Sequence, residues 1–343
     1  MIKVRSRAPL RLGIAGGGTD VSPYSDEFGG CVLNATINMF AHAFIDDDIE
    51  GEFVVFVAKD LGIEEKVSLT EPMSLDGKLK LHRAVYKRVM NDFNGGKYIP
   101  LRIMTHSDAP PGSGLGSSST MVVAILEGLR QLLSLPLGEY DIAHLAYEIE
   151  RVDCGLSGGK QDQYAATFGG FNFMEFYAND HVIVNPLRIR RYIISELEAS
   201  LILYFTGASR DSAKIINDQI ASMKEDNGAR IEAMHNVKRS AYKIKELLFR
   251  ADIKGVANEF KDSWESKKAT SNSITNPIIN AIERDIFAAG ALSMKVSGAG
   301  GGGFIMIFVE PETRLDVEAV LVKFEGRTHK FQFVTEGACS WTI

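Results

Sequence analysis

Cysteine is scarce in this 343-residue chain: Cys31, Cys154 and Cys339 are far apart and odd in number. No CxxC pair or Cys/His spacing accompanies them. A disulfide scaffold and a zinc module are therefore excluded, and reduced, mostly structural thiols in a cytoplasmic protein are expected. No apolar run of roughly 18 residues occurs, so no membrane-spanning helix is expected. Residues 1–7 alternate like a strand and lack the apolar stretch of a secretory leader. Positive charge is in deficit, with 38 Lys and Arg against 44 Asp and Glu and a formal net charge of −6. Such a balance argues against a nucleic-acid coat or a basic membrane-surface protein, while leaving room for a local basic pocket. Internal repeats, low-complexity tracts and extended linkers are also missing.

What is present is an ordinary globular composition, 45% hydrophobic and 24% charged, on a chain long enough for two domains. Strands are expected at residues 2–8, 32–45, 53–57 and 101–104, and a hairpin at 171–184. Helical periodicity covers 79–90, 117–133 and 139–152. The second half opens on an apolar strand at 201–205. Helices follow to about residue 289, then strands at 292–296 and 304–309, a helix at 315–324 and a strand at 328–334. The charged stretch 221–250 reads as a solvated helical face. This order is neither a regular βα alternation nor all-β, which makes the fold class α+β. The division falls near residues 190–200, giving domains 1–195 and 196–343.

The 32 glycines cluster in three places: residues 8–20 (APLRLGIAGGGTD), 110–120 (PPGSGLGSSST) and 295–304 (KVSGAGGGGF). The second cluster carries the most chemistry. Small residues let backbone N–H groups turn inward, and the segment delivers them to the start of a long helix. A helix N-terminus has unpaired donors and a partial positive charge, which suits a polyphosphate. The serines there add caps and a hydroxyl able to ligate magnesium. A capped helix after a glycine turn would look the same in isolation. The P-loop pattern GxxxxGK[ST] is missing. Gly298-x-Gly300-x-x-Gly303 matches the dinucleotide pattern, but the apolar run 304–309 follows it where that motif needs a helix. Residues 155–159 fit GxSxG but follow a helix rather than a strand.

Two carboxylates have positional meaning. The helix from Glu139 is expected to bury Ile142, Leu145, Ile149 and Val152, with Asp141, His144 and Glu148 on the solvated side. Glu150 follows Ala143 and Ala146 on a stripe bordering the core, where a carboxylate calls for a cation. Asp162 lies in GGKQDQY, and taken alone reads as a helix cap or ion-pair residue.

Together these strings resemble the GHMP kinases, the small-molecule kinases named for galactokinase, homoserine kinase, mevalonate kinase and phosphomevalonate kinase. The resemblance spans essentially the whole chain and rests on three motifs in family order. It implies two α+β domains with the active site in the cleft between them. It implies that Pro111, Gly112, Ser113, Gly114, Leu115, Gly116, Ser117 and Ser118 wrap ATP, and that Ser118 and Glu150 hold Mg2+. Asp162 matches the family's catalytic aspartate and Arg11 its basic companion. The interval from Glu150 to Asp162 is one residue longer than in mevalonate kinases.

The first motif bears on the acceptor. Thr19-Asp20 resembles the ending found in the sugar kinases of the superfamily, whose Asp holds sugar hydroxyls, and Gly17-Gly18 replaces the Glu-His of galactokinases. With FTGASRDS at 205–212 and GKQDQY at 159–164, the chain is similar to the branch acting on D-glycero-D-manno-heptose 7-phosphate. That similarity implies phosphorylation of the anomeric hydroxyl, on the route to nucleotide-activated heptose for surface polysaccharide. Thr19, Asp20, Gly17, Gly18, Ser297, Gly300 and Arg210 are the implied substrate contacts. Arg210, Lys214, Lys267 and Lys268 are candidates for the sugar phosphate, though each also reads as a surface charge. The expected partners are ATP and a small-molecule sugar phosphate, with no nucleic acid or membrane, in a monomer or homodimer. A fucose-type sugar 1-kinase and a non-catalytic sugar- and ATP-binding regulator are the alternatives. The presence of Asp162, Ser118 and Glu150 favours an enzyme over the regulator.

Overall fold

The computed structural model describes residues 2–47, 49–207, 212–225 and 228–343, without the side chains of 212 and 222–225. The chain opens with β1 (Lys3–Ala15), α1 (Tyr24–Phe28), β2 (Gly30–Asp46), β3 (Phe53–Ala58) and β4 (Ile63–Ser68). It continues through α2 (Lys80–Phe93), β5 (Arg102–Ser107), α3 (Ser117–Leu133), α4 (Glu139–Glu148) and α5 (Gln161–Phe168). A hairpin of β6 (Phe171–Phe176) and β7 (Val182–Pro186) leads to α6 (Arg191–Ser200) and β8 (Leu201–Phe205). Helices α7 (Ser212–Glu225), α8 (Ala229–Phe249), α9 (Ile253–Lys268) and α10 (Pro277–Ala288) then run in series. The last elements are β9 (Ala291–Val296), β10 (Phe304–Val309), α11 (Arg314–Leu321), β11 (Arg327–His329) and β12 (Cys339–Thr342).

The described residues form two sheets. One has the order β12-β1-β2-β5-β3-β4, with β6 on the early part of β2 and β7 beside it; the other runs β11-β8-β10-β9. All pairings are antiparallel except β3 with β5. This is the expected α+β class. Two corrections concern the end of the chain. The strand expected over 328–334 forms only at Arg327–His329, and Cys339–Thr342 returns to pair with β1.

Three large apolar clusters hold the layers together. The first packs α2, α3 and α4 on one sheet, through Val85, Val89, Ile125, Leu129 and Ile142. The third packs α10 and α11 on the other sheet. The second cluster positions the site: Leu10, Leu12 and Leu33 of the first sheet meet Leu203, Met306 and Phe308 of the second, with Phe260 of α9. Each such side chain contributes roughly 1.5–3 kcal/mol on burial, so the two halves share one core. Within the charged stretch 221–250, α8 is amphipathic: it buries Ala233, Met234, Val237, Ala241, Ile244 and Leu248.

After α4 the chain makes one π-helical turn, Ile149–Asp153, in which the Cys154 N–H donates to the Ile149 carbonyl at 3.0 Å. The wider turn shifts every later side chain around the axis. Val152, expected to face the core, is therefore 70% exposed, and Glu150 is turned fully inward.

Candidate active site

A cavity of about 120 Å³ lies where β1, the start of α3, the start of α5 and the end of α9 converge. Its walls include Gly112, Gly114, Gly116, Ser117 and Ser118 from the second glycine segment and α3, Gly18 and Asp20 from the first motif, and Gln219 and Lys267 from α7 and α9. Arg11 and Asp162 line it as well. Bulges interrupt the β1–β2 ladder between Pro9 and Arg11 and between Gly13 and Ala15. Such bulges re-aim side chains. Arg11 is 3% exposed; its Nε donates to Asp162 Oδ1 at 2.7 Å, with Nη2 at 2.5 Å from the same oxygen. Its Nη1 donates to the Gly114 carbonyl at 2.6 Å, so one guanidinium ties the aspartate to the glycine loop.

Asp162 sits in the first turn of α5 and packs over Gly116, where an added Cβ would lie 3.0 Å from its Cγ. Asp20 meets the same helix from the other side. Its Oδ2 accepts from the Gln161 N–H at 3.1 Å, and its Oδ1 from the Gly18 N–H at 3.0 Å. A carboxylate at a helix N-terminus is stabilised by the unpaired donors and the dipole there. A Cβ on Gly159 would fall 1.9 Å from Asp20 Oδ2, so the loop before α5 needs glycine at that position. The first motif and the start of α5 are thus one hydrogen-bonded unit.

In the second glycine segment, Gly112, Gly114 and Gly116 have φ of +71°, +82° and +79° and lead directly into α3. Its first N–H groups have no intrahelical acceptor and suit an anion. Behind them Glu150 is fully buried, and its carboxylate accepts from Ser118 Oγ at 2.7 Å, Ser119 Oγ at 2.6 Å and Gln163 Nε2 at 2.7 Å. Ser118 brings this group to the cavity wall. A hydroxyl joined to a carboxylate is a hard-oxygen donor pair that fits Mg2+, which takes its other ligands from phosphates and water.

Several residues named from the motifs take up scaffold positions. Thr19 is buried: its hydroxyl accepts from the Cys31 N–H at 2.9 Å and has the Gly16 carbonyl, at 2.8 Å, as the nearer acceptor for its single proton, which fastens the first motif to β2. Leu115 packs in the second apolar cluster. Ser297 Oγ donates to the Gly114 carbonyl at 2.9 Å, and Gly300 lies against Ile274, so both lock loops together outside the cavity lining. Pro111 is exposed and likewise outside the lining. Gly17 contributes its carbonyl, which accepts from Lys267 at 3.4 Å. Lys214 is exposed and Lys268 pairs with Glu265 and Glu283. Arg210 lies outside the described residues.

Arg151, Ser157 and Gln161 also line the cavity, although none is among the site residues expected from the sequence. Arg151 folds over the loop between the π-turn and α5, donating to the Ser157 and Gly159 carbonyls at 3.3–3.4 Å. Lys267, a weak sequence candidate, proves to be a buried wall residue at 2% exposure. Of the cysteines, Cys31 and Cys154 are buried, their thiols pushed up to about 12 and about 11 by burial. That is the inert state of a structural thiol.

Family models describe the same architecture: GHMP kinases N terminal domain matches residues 80–170, and GHMP kinases C terminal matches residues 244–324. The chain is 45% identical to D-glycero-alpha-D-manno-heptose 7-phosphate kinase of Campylobacter jejuni, over 100% of both chains. The chain belongs to the GHMP kinases. It is a phosphotransferase with an alcohol group as acceptor. Among solved GHMP kinases it is similar to a D-glycero-D-manno-heptose 1-phosphate kinase from Bacteroides thetaiotaomicron. That structure has 44% identity and a TM-score of 0.84, with 99% of each chain covered. A bifunctional fucokinase/GDP-fucose pyrophosphorylase of Arabidopsis thaliana is 25% identical over 90% of this chain and 30% of that protein.

Proposed function

We propose that this GHMP kinase transfers the γ-phosphoryl group of ATP to the anomeric hydroxyl of D-glycero-D-manno-heptose 7-phosphate, yielding the 1,7-bisphosphate. The product would feed nucleotide-activated heptose for surface polysaccharide, made in the cytoplasm by a monomer or homodimer of two units, 1–195 and 196–343. The observation that carries the reading is Asp162, held by Arg11 between a glycine-lined helix start and Asp20. The name of the Campylobacter relative supports the acceptor.

Phosphoryl transfer passes through a loose, highly charged transition state, so positioning and charge neutralisation dominate. In this reading the donors at the start of α3 receive the phosphates. Ser118 and Glu150 would hold Mg2+, which supplies charge neutralisation to the phosphates. Asp20 and Gln161 orient the sugar, and the Gln161 Oε1, buried and without a donor among the described residues, can accept from a sugar hydroxyl. Asp162 takes the proton of the attacking hydroxyl. Arg11 fixes the carboxylate geometry and keeps its charge compatible with the phosphates nearby.

The relatives' names place the phosphate at position 7 in one case and position 1 in the other. ADP release should therefore be compared for heptose 7-phosphate, heptose 1-phosphate, mannose 6-phosphate, fucose and mevalonate. The highest kcat/KM is expected with heptose 7-phosphate, and product phosphorus NMR should show a new anomeric phosphate. Preference for heptose 1-phosphate or fucose would replace the proposed acceptor. Nucleotide binding without turnover of any acceptor would favour the regulator.

A further inference from the structure

Four cations line or underlie the cleft floor: Arg11, Arg151, Lys295 and Lys267. Arg151 is committed to the Ser157 and Gly159 carbonyls and lies 3.5 Å from Glu150 Oε1. Arg11 is committed to Asp162 and Gly114. Lys295 is 2% exposed, donates to the Ile14 carbonyl at 2.9 Å and is absent from the cavity lining. Burial holds its pKa well below the usual lysine range, with Lys267 and Arg11 adding to the effect. It serves the scaffold, tethering β9 to the Ile14 carbonyl of β1.

Lys267 differs. It ends α9, and its Nζ donates to the Gly298 carbonyl at 2.6 Å and the Gly17 carbonyl at 3.4 Å. Both acceptors are neutral, and among the described residues no carboxylate bonds it. An ammonium has three donors, and this one lines the cavity with Asp20 and Asp162. Burying a cation with only carbonyl partners is costly, and a purely structural tether would be served by an uncharged donor. The position is that of a positive group waiting for an anion.

Resting on the kinase reading above, we propose that Lys267 is a substrate-binding residue that meets the phosphoryl group as it crosses from ATP to the acceptor hydroxyl. In that step a bond forms between the acceptor oxygen and the γ-phosphorus. The bond from that phosphorus to the β,γ-bridging oxygen breaks, the hydroxyl proton goes to Asp162 and ADP leaves. Lys267 exchanges no proton and supplies charge to the equatorial oxygens. The sugar's own phosphate is a poorer partner, because a resident dianion would sit against both Asp20 and Asp162. The moving group passes beside Asp162, the proposed base, and Lys267 lines the same cavity. Burial lowers the Lys267 pKa to about 8; Asp20 and Asp162 act to raise it and Arg11 to lower it, while Lys295 faces it from β9.

Lys267→Gln keeps a donor for the two carbonyls and removes the charge; Lys267→Arg keeps both. Calorimetry with MgADP alone and with MgADP plus aluminium fluoride, a mimic of the moving phosphoryl, tests the idea without any sugar. Lys267→Gln should bind MgADP like wild type and the aluminium fluoride complex at least tenfold more weakly, with Lys267→Arg closer to wild type. Equal affinity of wild type and Lys267→Gln for the fluoride complex would overturn the proposal, whatever the acceptor proves to be. With a working acceptor, wild-type kcat/KM should fall above about pH 8, and Lys267→Arg should move that limb upward. An unmoved limb would overturn the proposal even if Lys267→Gln does not fold. Failure of every acceptor with an intact fluoride effect would reject the sugar assignment alone.

Discussion

Residues 110–120 and 295–304 are both glycine-rich and meet face to face, yet they end in different elements: the first in α3, the second in β10. The α3 segment curls so that its backbone borders the cavity. The β10 segment is pressed against it: the Phe304 N–H donates to the Ser113 carbonyl at 2.8 Å, and a Cβ on Gly303 would fall 2.2 Å from that oxygen. A Cβ on Gly114 would likewise lie 2.5 Å from the Ser297 carbonyl. Glycine serves close backbone approach at Gly303, opens the backbone to the cavity at Gly112 and Gly116, and does both at Gly114 and Gly298, where the segments touch. Composition alone cannot separate these uses, because both require the absence of a side chain.

The strongest test of this contrast leaves both loops intact and removes the chemistry. Asp162→Asn should lower kcat by about 10²–10⁴-fold, the usual worth of a positioned base, while nucleotide affinity stays at the wild-type level. Retention of more than about a tenth of the rate would take Asp162 out of that role. Glycine replacement separates the loops themselves. Gly303→Ala combines a φ of +83° with the carbonyl clash and should cost roughly 2–5 kcal/mol in denaturant unfolding. Gly116→Ala has a φ of +79° and its nearest neighbours are Asp162 side-chain atoms, at 3.0–3.2 Å, so its stability loss should stay at about 1–2 kcal/mol. Its activity loss should exceed what that destabilisation explains. Similar stability losses for the two variants would erase the distinction.

His82 provides a reference far from both segments. It is buried, bonds Thr105 Oγ1 at 2.8 Å, and burial lowers its pKa to about 4. The unfolded chain binds this proton near 6.5 and the folded chain only near 4. Stability is therefore full above 6.5 and falls on acidification toward 4, by about 3 kcal/mol in total. Unfolding curves across this window should flatten in His82→Gln; an unchanged slope would show that another group carries the acid sensitivity.

Much of the fold is readable locally. Helix α3 spans the residues its periodicity indicates, and the β6–β7 hairpin lies where alternation places it. Local reading fails where one hydrogen bond changes the period. The π-turn at Ile149 sends Val152 outward and Glu150 inward, and no propensity marks the inserted residue. The strand at Cys339–Thr342 is equally hidden, because its pairing partner lies at the other end of the chain.

By itself, the sequence determined the α+β class, the three glycine clusters and the list of chemistry-bearing residues near them, because these follow from composition, period and motif order. The tertiary structure alone decided which of those residues face the cleft. It turned Thr19, Ser297 and Gly300 into fasteners and made Lys267 a wall residue 250 positions away from the carbonyl of Gly17 that it holds. It also placed the Asp20 carboxylate on the Gln161 N–H. The physical reason is that burial, charge proximity and carbonyl-to-ammonium contacts arise between segments remote in sequence. Their strength is set by distance in space.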